Sequence, residues 1–171
     1  MDYDRLLDML FSAMIEWFAG DPKRVQHFVK VHSFARLIGM NENLGGEELF
    51  ALEAAAYVHD IGIKSGEELY SRNDGKIQEQ LGPECAEKMM RSLGFPEETT
   101  ERASYLVGRH HTYNNITDTD CRILIEADFL VNLYEDNASE AAIKSAYEKI
   151  FVTPTGRRIC RTMFSLTERK L

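Results

Sequence analysis

The sequence predicts an all-α protein, one compact bundle of about seven to nine helices, and three observations carry that expectation. Apolar residues recur at helical spacing along nearly the whole chain. No stretch alternates apolar and polar residues as a half-buried strand would. Gly, Pro and capping residues interrupt the periodic segments at helix-length intervals.

The first helix is expected from about Asp4 to Phe18, with Leu6, Leu10, Met14 and Trp17 on one stripe, and it stops at Gly20, a residue suited to a left-handed cap. Asp21-Pro22 reads as an N-cap followed by Pro at the first helical position. The second helix then reaches about Gly39 and carries His27, Val31, Phe34 and Ile38 along one side, so His27 faces the interior. A third spans about Glu47 to Asp60, placing Leu52, Ala55, Ala56 and His59 on one face before Gly62 ends it.

The stretch from Lys64 to Gln80 is polar and lacks a sustained apolar stripe, which reads as a loop or short helical turns placed to cover a site. Pro83 is expected to begin a helix that ends at Leu93-Gly94, and Pro96 another that runs towards Arg109-His110-His111. Thr117 and Asp120 suggest a capped start to a helix from Cys121 to Tyr134, which is apolar almost all round and therefore central. Two amphipathic helices, about Ser139 to Phe151 and Thr155 to Thr167, complete the chain. With no linker or repeat, residues 1–171 read as a single domain, its functional motifs within 27–133 and its last two helices within 138–168.

Composition narrows the function. Against 28 Asp plus Glu stand 20 Lys plus Arg, a net charge of -8 that opposes bulk binding to nucleic acid. A phosphate ligand must then be held locally by a cation or a few basic residues. Cys85, Cys121 and Cys160 are scattered and odd in number, which argues against a disulfide framework or a cysteine zinc site. Asp2, Asp4 and Asp8 give the N-terminus no signal-peptide character, and no apolar run approaches the ~20 residues that span a bilayer. A cytoplasmic location without membrane association is the expectation.

The most informative residues are His59 and Asp60, adjacent at the end of the apolar run Ala54-Ala55-Ala56-Tyr57-Val58. Polar groups are costly to bury there without partners, and a bound metal ion would explain both. Asp128 poses the same problem, because it shares a helical face with Leu124, Ile125 and Val131 and an unpaired carboxylate in that setting costs several kcal/mol, roughly. With His27 these residues make two imidazoles and two carboxylates, a mixed nitrogen and oxygen set suited to divalent transition metals that leaves positions open for water or substrate.

In order and spacing these residues resemble the HD-domain superfamily of metal-dependent phosphohydrolases. The helix His27-Phe28-Val29-Lys30-Val31 is similar to the one carrying the first ligand, Ala54 to Gly62 to the central His-Asp motif, and Ala127-Asp128-Phe129-Leu130 to the distal one. The resemblance implies a bundle with the metal between helices and His27, His59, Asp60 and Asp128 as ligands. The ion, whether Mn, Fe, Co, Ni, Zn or Mg, would polarise a phosphoryl oxygen and lower the pKa of water for attack on phosphorus. The substrate implied is a small phosphorylated metabolite or a nucleotide, cleaved as a monoester or a diester.

His110-His111 is similar to the His-His segment that supplies further ligands in two-metal branches, so one ion is expected and a second near this pair is open. Those branches usually add a His in the preceding loop, and none occurs here between Asp60 and His110. Either imidazole could instead hydrogen-bond phosphate, act as a general acid beside Asp60, or cap its helix. His32 lies on a different face from His27 and reads as surface or packing. Many members continue His-Asp-Ile-Gly-Lys, whereas here Ile63 takes the Lys position and Lys64 follows; a branch of nucleoside monophosphate phosphatases often has a catalytic Glu there. Lys64, in a catalytic or phosphate-binding role, Arg109 and, more distantly, Arg72 and Lys76 are the candidate phosphate contacts. Tyr113, Asn114 and Asn115 read as a turn near the ligand. Two other readings stay open: a metal-bearing ligand sensor without turnover, and a diiron oxygenase of the same fold.

Overall fold

The computed structural model describes residues 2–166, and these form nine α-helices with no strand among them. They are α1 (Tyr3–Trp17), α2 (Pro22–Asn41), α3 (Gly46–Val58), α4 (Gly62–Tyr70), α5 (Gly75–Ser92), α6 (Glu97–Val107), α7 (Thr119–Glu135), α8 (Glu140–Lys149) and α9 (Pro154–Met163). The expected all-α class is what the chain adopts.

Local chemistry sets most of the boundaries. Asp2 and Asp21 accept from the backbone N–H groups of Arg5 and Arg24, each at 3.1 Å, and so cap α1 and α2. Gly20 and Gly94 close the turns after α1 and α5 in the left-handed region, at φ 86° and 82°. Thr153 caps α9 by accepting from Gly156 N–H at 2.9 Å, with Pro154 at the first position. The expected Thr167 end of the last helix lies outside the described residues.

α3 is the element around which the rest is arranged, packing on α1, α2, α6 and α7. Its Ala54, Ala55 and Ala56 are all fully buried, and their small size lets neighbouring helices approach closely. α2 and α7 pack extensively on each other, so His27 and Asp128 start from facing helices. Phe28, Val31, Ile38, Leu52, Ile123, Leu124 and Leu130 fill the space between them.

Three boundaries depart from the expectation. The segment 64–80 is mostly helical, forming α4 and the beginning of α5. Its buried faces carry Gly62, Ile63 and Gly66 on α4 and Ile77, Gln78 and Gly82 on α5, too few large apolar residues to produce a visible stripe. Pro83 does not start a helix but lies inside α5, where it removes one backbone donor from the ladder. α3 ends at Val58, not Asp60, and His59 to Ile61 form a tight turn before Gly62 opens α4. Gly62 is needed because α5 crosses there: a Cβ would meet Gly82 N at 2.8 Å and Gln78 O at 3.0 Å. The capping pair expected of Thr117 and Asp120 does not form either, since the Asp120 carboxylate receives Arg102.

Candidate metal centre

Four elements bring the polar residues together. α2 contributes His27, the turn after α3 contributes His59 and Asp60, the turn after α6 contributes His110, and the middle of α7 contributes Asp128. His59 and His110 are fully buried, and His27 and Asp128 nearly so.

Each of three imidazoles is held by the same device. His59 Nδ1–H donates to the Ala56 carbonyl at 2.9 Å and His110 Nδ1–H to the Val107 carbonyl at 2.7 Å. Both acceptors lie in the last turn of a helix, where carbonyls lack intrahelical partners. His27 Nδ1–H donates instead to Glu135 Oε2 at 3.0 Å, and Lys30 Nζ binds the other oxygen of that carboxylate at 2.5 Å. Since carbonyl and carboxylate oxygens only accept, all three rings carry the proton on Nδ1 and turn an Nε2 lone pair inward.

The inward atoms converge. His27 Nε2 lies 3.2 Å from His59 Nε2, 3.1 Å from Asp128 Oδ1 and 3.6 Å from Asp60 Oδ2. His59 Nε2 lies 3.5 Å from Asp60 Oδ2 and 3.7 Å from Asp128 Oδ1. Ligands about 2.0–2.2 Å from a common ion stand about 3.0–3.5 Å apart in octahedral or tetrahedral arrangements, so these separations fit one divalent ion. Two facing nitrogen lone pairs beside two carboxylates repel unless a cation lies among them. The donor set therefore fits a metal: His27, His59 and Asp60 stand close enough together to hold it, and Asp128, beside both imidazoles, would complete the set.

Without an ion, a proton takes that place. Burial works against a charged His27, but Asp128, Asp60 and Glu135 outweigh it and push its pKa up to about 9. His59 is raised in the same way, by Asp60 and Asp128 against burial. Asp60 and Asp128 are driven well below the usual carboxylate range, because the neighbouring imidazoles overcome the cost of burial.

His110 Nε2 is buried without a hydrogen-bond partner, 3.6 Å from Asp60 Oδ1. Asp60 thus has one oxygen in the four-atom cluster and the other towards His110. His111 is placed differently, its Nε2 at 3.0 Å from Gln78 Oε1 and its Nδ1 at 3.3 Å from the Tyr113 hydroxyl. Burial and the neighbouring His110 lower its pKa to about 4.

The expected phosphate contacts are not gathered here. Lys64 Nζ donates to the Trp17 carbonyl at 3.1 Å and lies over that indole, because α4 turns position 64 towards the C-terminal end of α1, where an unpaired carbonyl favours a Lys. Arg72 is exposed and paired with Asp74 at 2.6 Å, and the Arg109 guanidinium lies 5.3 Å from the Tyr105 ring centre. His32 stacks on Tyr57 and approaches Glu53 at 3.0 Å, apart from the centre. Asn115 adopts φ 57°, in keeping with a turn. A surface cavity of about 480 Å³ is lined by residues such as Tyr3, Glu47 and Arg102 and shares none with the centre.

Glu135, Lys30, Asn132, Gln78 and Glu79 are site residues that the sequence reading did not single out. Asn132 Nδ2 donates to Asp128 Oδ1 at 2.8 Å. Asp128, Asn132 and Glu135 recur at i, i+4 and i+7, a polar stripe on an otherwise apolar helix that was available as a signal.

Fold and site together define an all-α protein built around a candidate divalent-metal centre at the meeting of four helix segments. The chain belongs to the HD-domain family, whose model matches residues 24–143. It is also similar to the crystal structure of a predicted HD superfamily hydrolase from an uncultured Thermotogales bacterium, with a TM-score of 0.64 and 24% identity over 95% of this chain and 84% of that one. At that identity the likeness speaks to the fold. No curated protein matches the chain.

Proposed function

We propose that the protein is a metal-dependent phosphohydrolase that cleaves a small phosphorylated metabolite or a nucleotide. The observation that carries this reading is the N2O2 donor set, in which each imidazole is fixed through Nδ1 and presents Nε2 to the same point. A divalent ion bound there supplies Lewis-acid polarisation of a phosphoryl oxygen and lowers the pKa of water.

The chain's own residues then divide the remaining work. Glu135 and the Ala56 carbonyl orient the imidazoles, and Asn132 orients Asp128. Asp60, the more open of the two carboxylates with 19% of its side chain exposed against 5% for Asp128, faces the route of an incoming ligand. His110, next to Asp60, is positioned to exchange a proton with the attacking water or the leaving group. Lys30, 38% exposed beside His27, is the cation best placed to meet a phosphate. Against the net charge of -8, such a local cation and the ion provide the attraction that the surface as a whole does not. We place the protein in the cytoplasm; its three cysteines are unpaired, and no helix among the described residues is long and apolar enough to cross a membrane.

A second reading has its own support. Ile63, at the position where relatives often carry a polar residue, is buried and offers no acid or base, which suits a metal-bearing module that binds a phosphorylated ligand without turnover. Product formation from a panel with Mn, Mg, Co or Ni, read as phosphate from the monoesters and as alcohol and monoester from the diesters, separates the two. Metal-dependent turnover that disappears in Asp60→Ala supports the hydrolase. Ligand binding with no product under any metal favours the sensor.

A further inference from the structure

His111 breaks the pattern set by the other three imidazoles. Gln78 Nε2 lies 2.6 Å from the Asn73 carbonyl oxygen, which can only accept, so the NH2 of that amide is at this end and its oxygen faces His111. An amide oxygen also only accepts. His111 Nε2 therefore carries the proton, and its Nδ1 lone pair faces the Tyr113 hydroxyl, which donates to it. The backbone is fixed too, because Glu79 Oε1 accepts from His111 N–H at 2.9 Å and from Thr112 Oγ1–H at 3.0 Å. Gly75 closes the remaining side, passing so near the ring that a Cβ would stand 2.8 Å from His111 Cγ.

Asp60, His110 and His111 stand close enough to hold an ion beside the first. Asp60 Oδ1 and His110 Nε2 are available for it, and a third protein donor would have to come from His111. We propose that Gln78 makes this centre mononuclear, committing His111 Nε2 to an N–H···O bond while the Tyr113 hydroxyl occupies the Nδ1 lone pair, and so leaving the second position with two protein donors. α5 thereby decides the number of ions without touching any of them, and the diiron reading of the fold loses the site it requires.

The inference rests on the metal-centre reading above, and the two fail differently. Metal-free protein is saturated with Mn²⁺, desalted, and its manganese per chain measured. One ion is expected in wild type and two in Gln78→Ala. Two in wild type, or one in a Gln78→Ala variant with native circular dichroism, overturns the proposal; none in wild type overturns the metal reading itself. Histidine ¹⁵N shifts supply a second measurement that needs no variant. On loading with diamagnetic Zn²⁺, the Nε2 signals of His27 and His59 are expected to move while His111 Nε2 stays protonated and in place. A metal-induced shift at His111 Nε2 overturns the proposal.

Discussion

His27 and Glu135 are joined across the α2–α7 interface by a 3.0 Å hydrogen bond from Nδ1–H to Oε2. Lys30 holds the other carboxylate oxygen, so the acceptor is fixed from both sides and the imidazole cannot rotate without breaking a charge-assisted bond. Outer partners of this kind typically change metal affinity by about 10–100-fold. Glu135→Ala is expected to weaken divalent-metal binding within that range while leaving the helical circular dichroism intact. Glu135→Gln, which keeps an acceptor oxygen, loses less. Chelator competition measures both, and equal losses in the two variants would show that the charge, not the orientation, is what matters.

The protonation of His27 makes metal binding depend on pH in a defined direction. Its pKa rises from 6.5 to about 9 in the metal-free fold, where the proton takes the ion's place among the carboxylates. Stability from that protonated state is fully present below 6.5 and is lost as pH rises through about 9. A bound ion needs the neutral ring, so apparent metal affinity rises across the same window and binding at pH 7 releases protons. Calorimetry in buffers of different ionisation enthalpy should record that release. The gap in thermal midpoint between loaded and metal-free protein should widen from pH 6.5 to 9; a constant gap would mean that the ion bypasses His27.

How far the sequence speaks for the fold differs from element to element. α1 and α2 are visible because their buried faces are apolar and their ends carry Asp, Pro or Gly in the expected places, whereas α3 and α7 show through their apolar residues alone. α4 and the start of α5 are hidden for the opposite reason: glycines face the neighbouring helix, and Gln78 and Glu79 face the site. Periodicity reports burial of large apolar groups, so a helix lining a polar centre is silent to it. The cluster of His27, His59, Asp60 and Asp128 was legible because polar groups at core positions are conspicuous. Lys64 was misplaced because chain proximity to Asp60 says nothing about the direction α4 gives it. Glu135 shows locally only as the end of the polar stripe begun by Asp128 and Asn132; its partner His27, 108 positions away, does not.

The crossing of α4 and α5 should be intolerant of side chains. At Gly62 an added Cβ meets backbone at 2.8 Å, and backbone cannot swing aside as a flexible side chain can. Gly62→Ala is expected to cost about 1–3 kcal/mol, the usual penalty for overpacking, although Ala favours helix over Gly by about 1 kcal/mol at an unconstrained site. Urea denaturation gives the value. Because His59 and Asp60 immediately precede this crossing, metal affinity should fall in parallel. A stabilised Gly62→Ala protein would show that α4 is free to move away.

Glu126 tests whether the two sides of α7 act independently. It lies two residues before Asp128, but points away from the metal centre into the link between α8 and α9. Its fully buried carboxylate accepts from Val152 N–H at 2.6 Å, Thr153 N–H at 2.8 Å and Thr153 Oγ1–H at 2.5 Å. Thr153 in turn caps α9, so one carboxylate holds both the backbone of the turn and the residue that starts the last helix. Glu126→Ala leaves three donors without an acceptor, and hydrogen bonds to a charged group contribute about 1.5–3 kcal/mol each before the survivors find water. The turn lies near the surface, with Val152 half exposed, so water recovers part of that loss. A net destabilisation of about 2–4 kcal/mol is expected. Gln at this position keeps one acceptor for the two backbone donors, and the Thr153 hydroxyl can rotate to accept from the new amide; its loss should be about half as large. Hydrogen exchange at Val152 and Thr153 should accelerate in Glu126→Ala, whereas metal affinity at the far side of α7 stays at the wild-type value. A fall in that affinity comparable to the Glu135→Ala loss would show instead that α7 transmits the disturbance from one side to the other, and that the C-terminal helices belong to the metal centre's support.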